Sequence, residues 1–529
     1  MDKRQFITGF YTAIILLLGC DAKEKESIDE KEKLPNIIYV LADDLGYGDI
    51  GSFNPQGKIK TPNIDRLAAE GMRFTDAHTS SAVCTPTRYG ILTGRYNWRS
   101  GLKKGVLTGK SRALIPRSRS TVAGLLKRAG YQTAFMGKWH LGWDWSLKDS
   151  TAFGGEGWNA QDFDGIDFTK PVTNTPNDLG FDYAYGHSGS LDMAPYVYVE
   201  NGVITSKVNK VTENKEKYTW WRKGPTASDF VHEDVTPNFF RRSIAYIKER
   251  QDKNTPFFLY LAIPSPHTPI LATKDWQGKS GLNPYADFVM MIDDYMGQLV
   301  LALETADIDE NTLVIFTSDN GCSPEADFEI LGAKGHDPSY IYRGHKADIF
   351  EGGHRVPFIA KWPAQIKPGS TSEKTICTTD FYATCRDIAK LEFEDDEGED
   401  SFSILPLLKD PLSSNYLRVA TVHHSINGSF AIRKADWKLI FAPGSAGWSD
   451  PKPNSDVLGT LPRFQLYNLQ EDPSEQRNVY EDQPEVVEEL KELMIQYIED
   501  GRSTPGNKQT NDPPLFGNKE WPQITIFKN

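Results

Sequence analysis

The sequence predicts an α/β fold: a large, mainly parallel sheet flanked by helices, then a small antiparallel sheet carrying one helix. Three observations predict it. Four short apolar runs, at 37–41, 131–136, 257–263 and 313–316, are continuous rather than alternating, as in strands buried on both faces. Helical stretches separate them, among them 63–70, 121–129 and 239–250, and that alternation marks a parallel sheet covered on both sides. Beyond the acidic stretch 392–400 the pattern changes to short alternating segments at 430–433, 437–441 and 464–467, then to an amphipathic run at 485–499, which reads as a small sheet with a helix packed on it.

Composition sets the outer bounds. A chain of 529 residues that is 39% hydrophobic and 12% aromatic has ample material for a core, which excludes disorder, collagen and coiled coil. A net charge of −13 argues against a nucleic-acid binder held by a basic surface. Five cysteines are too few for a disulfide scaffold, although Cys377 and Cys385 are candidates to pair.

In chain order, Lys3 and Arg4 precede an apolar run from Phe6 to Leu18, too short for a bilayer and right for a signal peptide. It ends Leu17-Leu18-Gly19-Cys20, which resembles the bacterial lipobox, whose cysteine is lipidated. The expected division is a leader at 1–19, a charged tether at 20–33, a main domain at 34–410 and a C-terminal subdomain at 411–529. The expected location is a bacterial membrane reached by export, with an ordinary secretory signal and a soluble periplasmic protein as the alternative.

Each apolar run leads into chemically useful residues: Asp43-Asp44, Lys138-Trp139-His140, His267, and Asp319-Asn320. Parallel sheets bind ligands beyond the carboxyl ends of their strands, so these groups are expected to share one rim. Asp43, Asp44, Asp319 and Asn320 offer oxygen donors alone, which suits a hard cation rather than zinc. Ca²⁺ is favoured over Mg²⁺ because it tolerates irregular carboxylate-rich sites.

Pro86 suits the first turn of a helix with Thr85 as its cap. That places Cys84 at a helix N-terminus, where the dipole favours anions: an activated cysteine, or else a buried inert one. The run Cys84-Thr85-Pro86-Thr87-Arg88, followed by Thr93-Gly94-Arg95, resembles the signature of the type I, formylglycine-dependent sulfatases. Gly137-Lys138-Trp139-His140 and the Arg343-Gly344-His345-Lys346 to Pro357 block are similar to later motifs of that family.

The resemblance implies an alkaline-phosphatase-like sandwich and a sulfatase acting on a sulfated carbohydrate of ulvan, carrageenan, fucan or glycosaminoglycan type. It implies a maturation enzyme that oxidises Cys84 to formylglycine, which also touches the cation and passes through a sulfo-enzyme intermediate. Arg88 and Lys138 would hold the hydrated aldehyde, and His140 would assist proton removal. His267 would protonate the leaving oxygen, and Lys346 would neutralise sulfate oxygens. The rivals are a phosphate or phosphonate ester hydrolase of the same superfold and a non-catalytic sulfated-glycan-binding lipoprotein.

Asp192, Trp221, Arg222, His345, His423 and His424 are the candidate sugar contacts. Trp139, Trp143 and Trp145 either wall the pocket or pack. Between Ala77 and Trp143 there are twelve Lys or Arg and no Asp or Glu. That stretch either steers a polyanion or pairs with acids elsewhere in the fold.

Overall fold

The computed structural model describes residues 33–251, 253–392, 394–514 and 522–527. The leader, Cys20 and the tether up to residue 32 lie outside the described residues. The described residues from Leu34 onward form one compact unit. Among the described residues no helix is long and apolar enough to cross a membrane.

A ten-stranded sheet organises the molecule, and five parallel strands make its centre. In spatial order these are Thr312–Ser318, Asn36–Asp43, Phe257–Pro266, Gln132–Lys138 and Tyr183–His187. Strand Asn36–Asp43 lies between two of these, pairing Ile37 with both Phe258 and Leu313. Strands Phe257–Pro266 and Thr312–Ser318 are buried throughout, which is why they read as unbroken apolar runs. Antiparallel strands extend both edges, Phe358–Lys361 on one side and Val199–Glu200 on the other. The helices Pro62–Glu70, Val122–Arg128 and Val235–Lys248 lie close to their expected positions. Gly137 has φ +131°, and a Cβ there would sit 1.9 Å from the Ala262 carbonyl oxygen. Only glycine lets the strand ending in Lys138 lie this close to its neighbour.

The small sheet contains Thr421–His424, Phe430–Lys434, Trp437–Ile440 and Gln465–Asn468, all antiparallel. Helix Pro484–Glu499 contacts Phe430–Lys434 and Trp437–Ile440. Its first strand corrects the reading of His423 and His424 as sugar contacts. Both are buried, because strand geometry turns successive side chains into the body on either face. His423 stacks on His354 with ring centroids 4.0 Å apart, and His424 packs on Phe430.

Where this sheet meets the larger one, polar side chains form a chain of contacts at hydrogen-bond distance. Lys438 Nζ lies 3.0 Å from His354 Nε2, His354 Nδ1 lies 3.1 Å from His78 Nδ1, and His78 Nε2 lies 2.8 Å from Asp76 Oδ1. Each ring nitrogen of His78 and His354 has a protein partner.

Cys377 and Cys385, the candidates to pair, are not bridged: Cys84, Cys322, Cys377 and Cys385 are free and buried. Cys385 sits on the inner face of helix Phe381–Ile388, whereas Cys377 precedes that helix at the end of a short strand. Eight of the twelve basic residues between Ala77 and Trp143 follow the pairing alternative. Arg95, Arg99, Arg117, Arg119, Lys127 and Arg128 meet carboxylates of Glu399, Asp400, Asp178, Asp182 and Glu397, and Arg88 and Lys138 meet Asp319 and Asp43.

Candidate active site

The carboxyl ends of the parallel strands bring Asp43, Lys138, His267 and Asp319 to one edge of the sheet, and the residues after them complete it. Asp43 ends strand Asn36–Asp43. Its Oδ2 lies 2.5 Å from Lys138 Nζ and 3.6 Å from Arg88 Nη2, and its Oδ1 lies 3.4 Å from Cys84 Sγ. Asp44 follows with φ +66°, the left-handed region. Its carboxylate accepts from Asn320 Nδ2 at 2.7 Å and from Lys346 Nζ at 2.7 Å. Asp319 accepts from Arg88 Nε at 2.9 Å and pairs with Nη2 at 2.8 Å. All of these groups are buried.

The nucleophile candidate opens helix Cys84–Thr93, whose ten residues are all buried. The helix begins at Cys84 with Val83 before it, so Thr85 is not the cap expected from the sequence. Its hydroxyl instead donates to the His140 carbonyl at 2.9 Å and accepts from the Leu107 amide at 3.2 Å, tying the helix start to the loop that carries His140. Gly94, at φ +64°, closes the helix with its N–H on the Gly90 carbonyl, the left-handed cap that glycine favours.

Burial and nearby charge set the protonation states. Burial raises the Cys84 thiol well above its ordinary value, against the pull of Lys138 and Lys346. Burial also opposes ionisation of Asp43, but Lys138, His267 and Arg88 outweigh it and hold the carboxylate charged. Asp319 is pushed up by burial and by the charge of Asp43. His140 donates from Nε2 to the Leu107 carbonyl at 2.7 Å, which leaves Nδ1 unprotonated, buried and without a protein partner. Burial, with Lys138 and Arg88, holds this ring well below the usual histidine range. His140 is thus a neutral base with a free lone pair. His267 donates from Nδ1 to the Thr268 carbonyl at 2.5 Å, and its Nε2 lies 3.6 Å from Asp44.

The donor set fits a hard divalent cation. The Asp43 and Asp44 carboxylates offer it oxygen donors, within 4.8 Å of donor atoms of Cys84 and His267. Asn320 Oδ1, fully buried, has no hydrogen-bond partner. An orphaned oxygen among crowded carboxylates is what an oxygen-liganded cation satisfies.

The other expected contacts divide. Asp192 and Arg222 form an ion pair, and the Arg222 guanidinium lies 5.1 Å from both the Trp158 and Trp220 rings. Trp221 turns inward and stacks on His232 at 4.0 Å. His345 is partly exposed beside Lys346, with Nδ1 3.5 Å from Asp348. Trp139, Trp143 and Trp145 are buried and pack. His187, at the end of a fifth parallel strand, is not among the residues expected from the sequence. Strand Tyr183–His187 extends the parallel set beside Lys138, and the carbonyls of His187 and Ser188 accept from the Trp139 and His140 amides at 3.0 and 2.8 Å. The signal was present, an apolar run ending in His-Ser, but two tyrosines and a glycine in five residues weakened it.

A parallel sheet flanked by helices, with three carboxylates, three buried cations and an anion-facing helix start at one strand edge, defines a hydrolase of anionic esters in the alkaline-phosphatase-like superfold. Residues 35–391 match the Sulfatase family model, and the chain belongs to the sulfatase family. The chain is 34% identical to N-acetylgalactosamine-6-O-sulfatase of Bacteroides thetaiotaomicron over 91% of this chain and 96% of that one. It is 32% identical to human arylsulfatase A over 87% of each. A solved sulfatase from work on glycosaminoglycan metabolism in Bacteroides thetaiotaomicron superposes with a TM-score of 0.75 at 33% identity, covering 88% of this chain and 99% of that one. This chain is a sulfuric ester hydrolase.

Proposed function

We propose that the chain removes 6-O-sulfate from N-acetylgalactosamine-type units of a sulfated glycan, with Cys84 converted to formylglycine and Ca²⁺ held by Asp43, Asp44, Asp319 and Asn320. The observation that carries it is Cys84 at a helix start, 3.4 Å from Asp43, among the charges of Arg88, Lys138 and Lys346, with the next residue, Thr85, tied to the loop that carries the neutral His140. The galactosamine assignment rests on the similarity to the Bacteroides N-acetylgalactosamine-6-O-sulfatase.

The hydrated aldehyde of formylglycine supplies a hydroxyl nucleophile, and the cation supplies charge that polarises sulfate oxygens. The chain's own residues do the rest. Arg88 and Lys138 fix Asp319 and Asp43 and keep the nucleophile's surroundings positive. His140 Nδ1 accepts the proton the nucleophile gives up. His267, held by its Nδ1 hydrogen bond to Thr268, presents Nε2 to protonate the departing sugar oxygen. Lys346 meets charge growing on the sulfate. Arg222 and His345 stand at the rim as sugar contacts. The leader and Cys20 support export with a lipid anchor.

Two measurements on the same protein test this: free sulfate released from 6-sulfated N-acetylgalactosamine and a panel of sulfated oligosaccharides, and the mass of the peptide containing residue 84. Release by the parent, none by Cys84→Ala, and a peptide mass showing loss of sulfur are expected. Release that survives in Cys84→Ala, or a fully converted protein that hydrolyses a phosphoester and no sulfate ester, overturns the proposal.

A further inference from the structure

Behind the strand edge lies a second buried cluster with no place in the chemistry above. Asp49 is 1% exposed and faces neither Lys nor Arg among its hydrogen-bond partners. Its Oδ2 accepts from the Gly46 amide at 2.7 Å and lies 2.5 Å from the Tyr285 hydroxyl, and its Oδ1 lies 2.9 Å from His336 Nε2. His336 Nδ1 accepts from the Lys58 amide at 3.1 Å. That fixes the tautomer: Nε2 carries the proton and donates it to Asp49. Tyr285, next to the start of helix Pro284–Thr305, is also 1% exposed, and its hydroxyl lies 3.2 Å from the Asp44 main-chain carbonyl. One phenolic proton is therefore shared between Asp49 and the backbone of Asp44.

Asp44 is the residue with an unusual backbone. A non-glycine residue at φ +66° costs free energy on the order of 1–3 kcal/mol and persists only where its surroundings over-determine it. Four contacts do so: Asp44 N on Asp319 Oδ1 at 3.3 Å, Leu45 N on Ser318 Oγ at 3.0 Å, Gly46 N on Asp49, and Tyr285 on the Asp44 carbonyl. Asp49 takes part in two of them, accepting one directly and holding Tyr285 for the other.

We propose that Asp49, Tyr285 and His336 are positioning residues for the cation: they hold the Asp44 turn in its left-handed form so that its carboxylate is preorganised for a divalent ion. This rests on the reading of Asp43, Asp44, Asp319 and Asn320 as the cation site. Three segments far apart in sequence, the turn after the first strand, the start of the long helix and the loop before Lys346, thereby act through one acceptor. Partners of this kind, which orient a ligand without touching the metal, change metal affinity by about 10–100-fold when removed.

The test uses the full chain, stripped with chelator and titrated with calcium ions alone, following the thermal midpoint. Tyr285→Phe removes the shared proton and little volume. The concentration of calcium giving half of the stabilisation is expected to rise by about tenfold or more, with the metal-free midpoint close to the parent's. His336→Ala is expected to do the same, and His336→Gln, which keeps an N–H donor, to restore the parent value. With substrate, the loss in Tyr285→Phe is recovered by excess calcium, which loss of a general scaffold contact would not show. A parent-like calcium requirement in Tyr285→Phe and His336→Ala overturns the proposal. So does failure of both variants to fold without metal, because the network would then support the sheet itself. A parent that calcium does not stabilise overturns the cation site and the proposal together.

Discussion

Replacing Lys346 by methionine tests whether the strand edge works as a balanced charge set. Asp43, Asp44 and Asp319 face Arg88, Lys138 and Lys346, so the bare edge is close to neutral. Lys346 is 5% exposed, and its Nζ lies 2.7 Å from an Asp44 oxygen. Burial opposes the ammonium charge, but Asp44, Cys84 and Asp43 outweigh burial and hold it above its ordinary pKa. Methionine keeps the bulk of the side chain and removes the charge, leaving Asp44 buried beside Asn320 Nδ2. Removing one partner of a buried pair costs about 3–5 kcal/mol, the loss expected for metal-free protein. A divalent cation on the same carboxylates replaces the lost charge, so the loss in the presence of calcium is expected to be less than half as large. Calcium is expected to bind the variant more tightly than the parent, because its site has become more negative by one charge. Sulfate release should move the opposite way, with kcat/KM down by about 10²–10³ for the loss of one preorganised charge at the reacting oxygens. The assays are denaturant unfolding with chelator and with calcium, together with sulfate release. Equal stability losses in the two conditions, or a kcat/KM indistinguishable from the parent's, would refute the reasoning.

Two further outcomes concern the body of the fold. Arg99 is fully buried, its Nε and Nη2 lie 2.7 and 2.9 Å from the Asp400 carboxylate, its Nη1 donates to the Tyr497 carbonyl, and its guanidinium stacks 4.1 Å from Trp98. Arg99→Ala should therefore destabilise by about 3–5 kcal/mol in urea titrations, and a loss below about 1 kcal/mol would count against the pairing. Burial holds His187, His232 and His424 down to about 3, so they stay neutral in the fold while the unfolded chain protonates them below about 6.5. The unfolded state binds more protons there, so this stability is complete above the ordinary histidine range and is lost as pH falls from about 6.5 toward about 3. The slope is about 1.4 kcal/mol per pH unit for each histidine. Urea midpoints from about pH 7.5 to about pH 4.5 should fall accordingly and more gently in His232→Asn, and a flat profile would exclude the linkage.

What the sequence revealed depended on where the determining partners lie. Strands such as Thr312–Ser318 were legible because burial on both faces demands an unbroken apolar run. Cys84 was legible because its motif is local. The inward turn of His423 and His424 was not, because strand Thr421–His424 shows its role only in its pairing with Phe430–Lys434. The neutralisation of the basic stretch was equally hidden. The acids that meet Arg95 and Arg99 are Glu399 and Asp400, some three hundred residues away. Asp49, Tyr285 and His336 left no sequence signal either, since nothing in their spacing announces that they converge on one turn.

The position of the first strand has a consequence for synthesis. Asn36–Asp43 pairs with Phe257–Pro266 and Thr312–Ser318, both made long after it. Cys84 is covered by groups as late in the chain as Asp319 and Lys346. A ribosome adds about 5–20 residues per second, so the interval between Cys84 and Ser318 is on the order of 10–50 s. Until its end the parallel strands whose carboxyl ends surround the thiol are incomplete. In the finished fold the same residue is 2% exposed. Any enzyme that alters Cys84 has that interval as its opportunity, and a chain that folds unaltered has closed it.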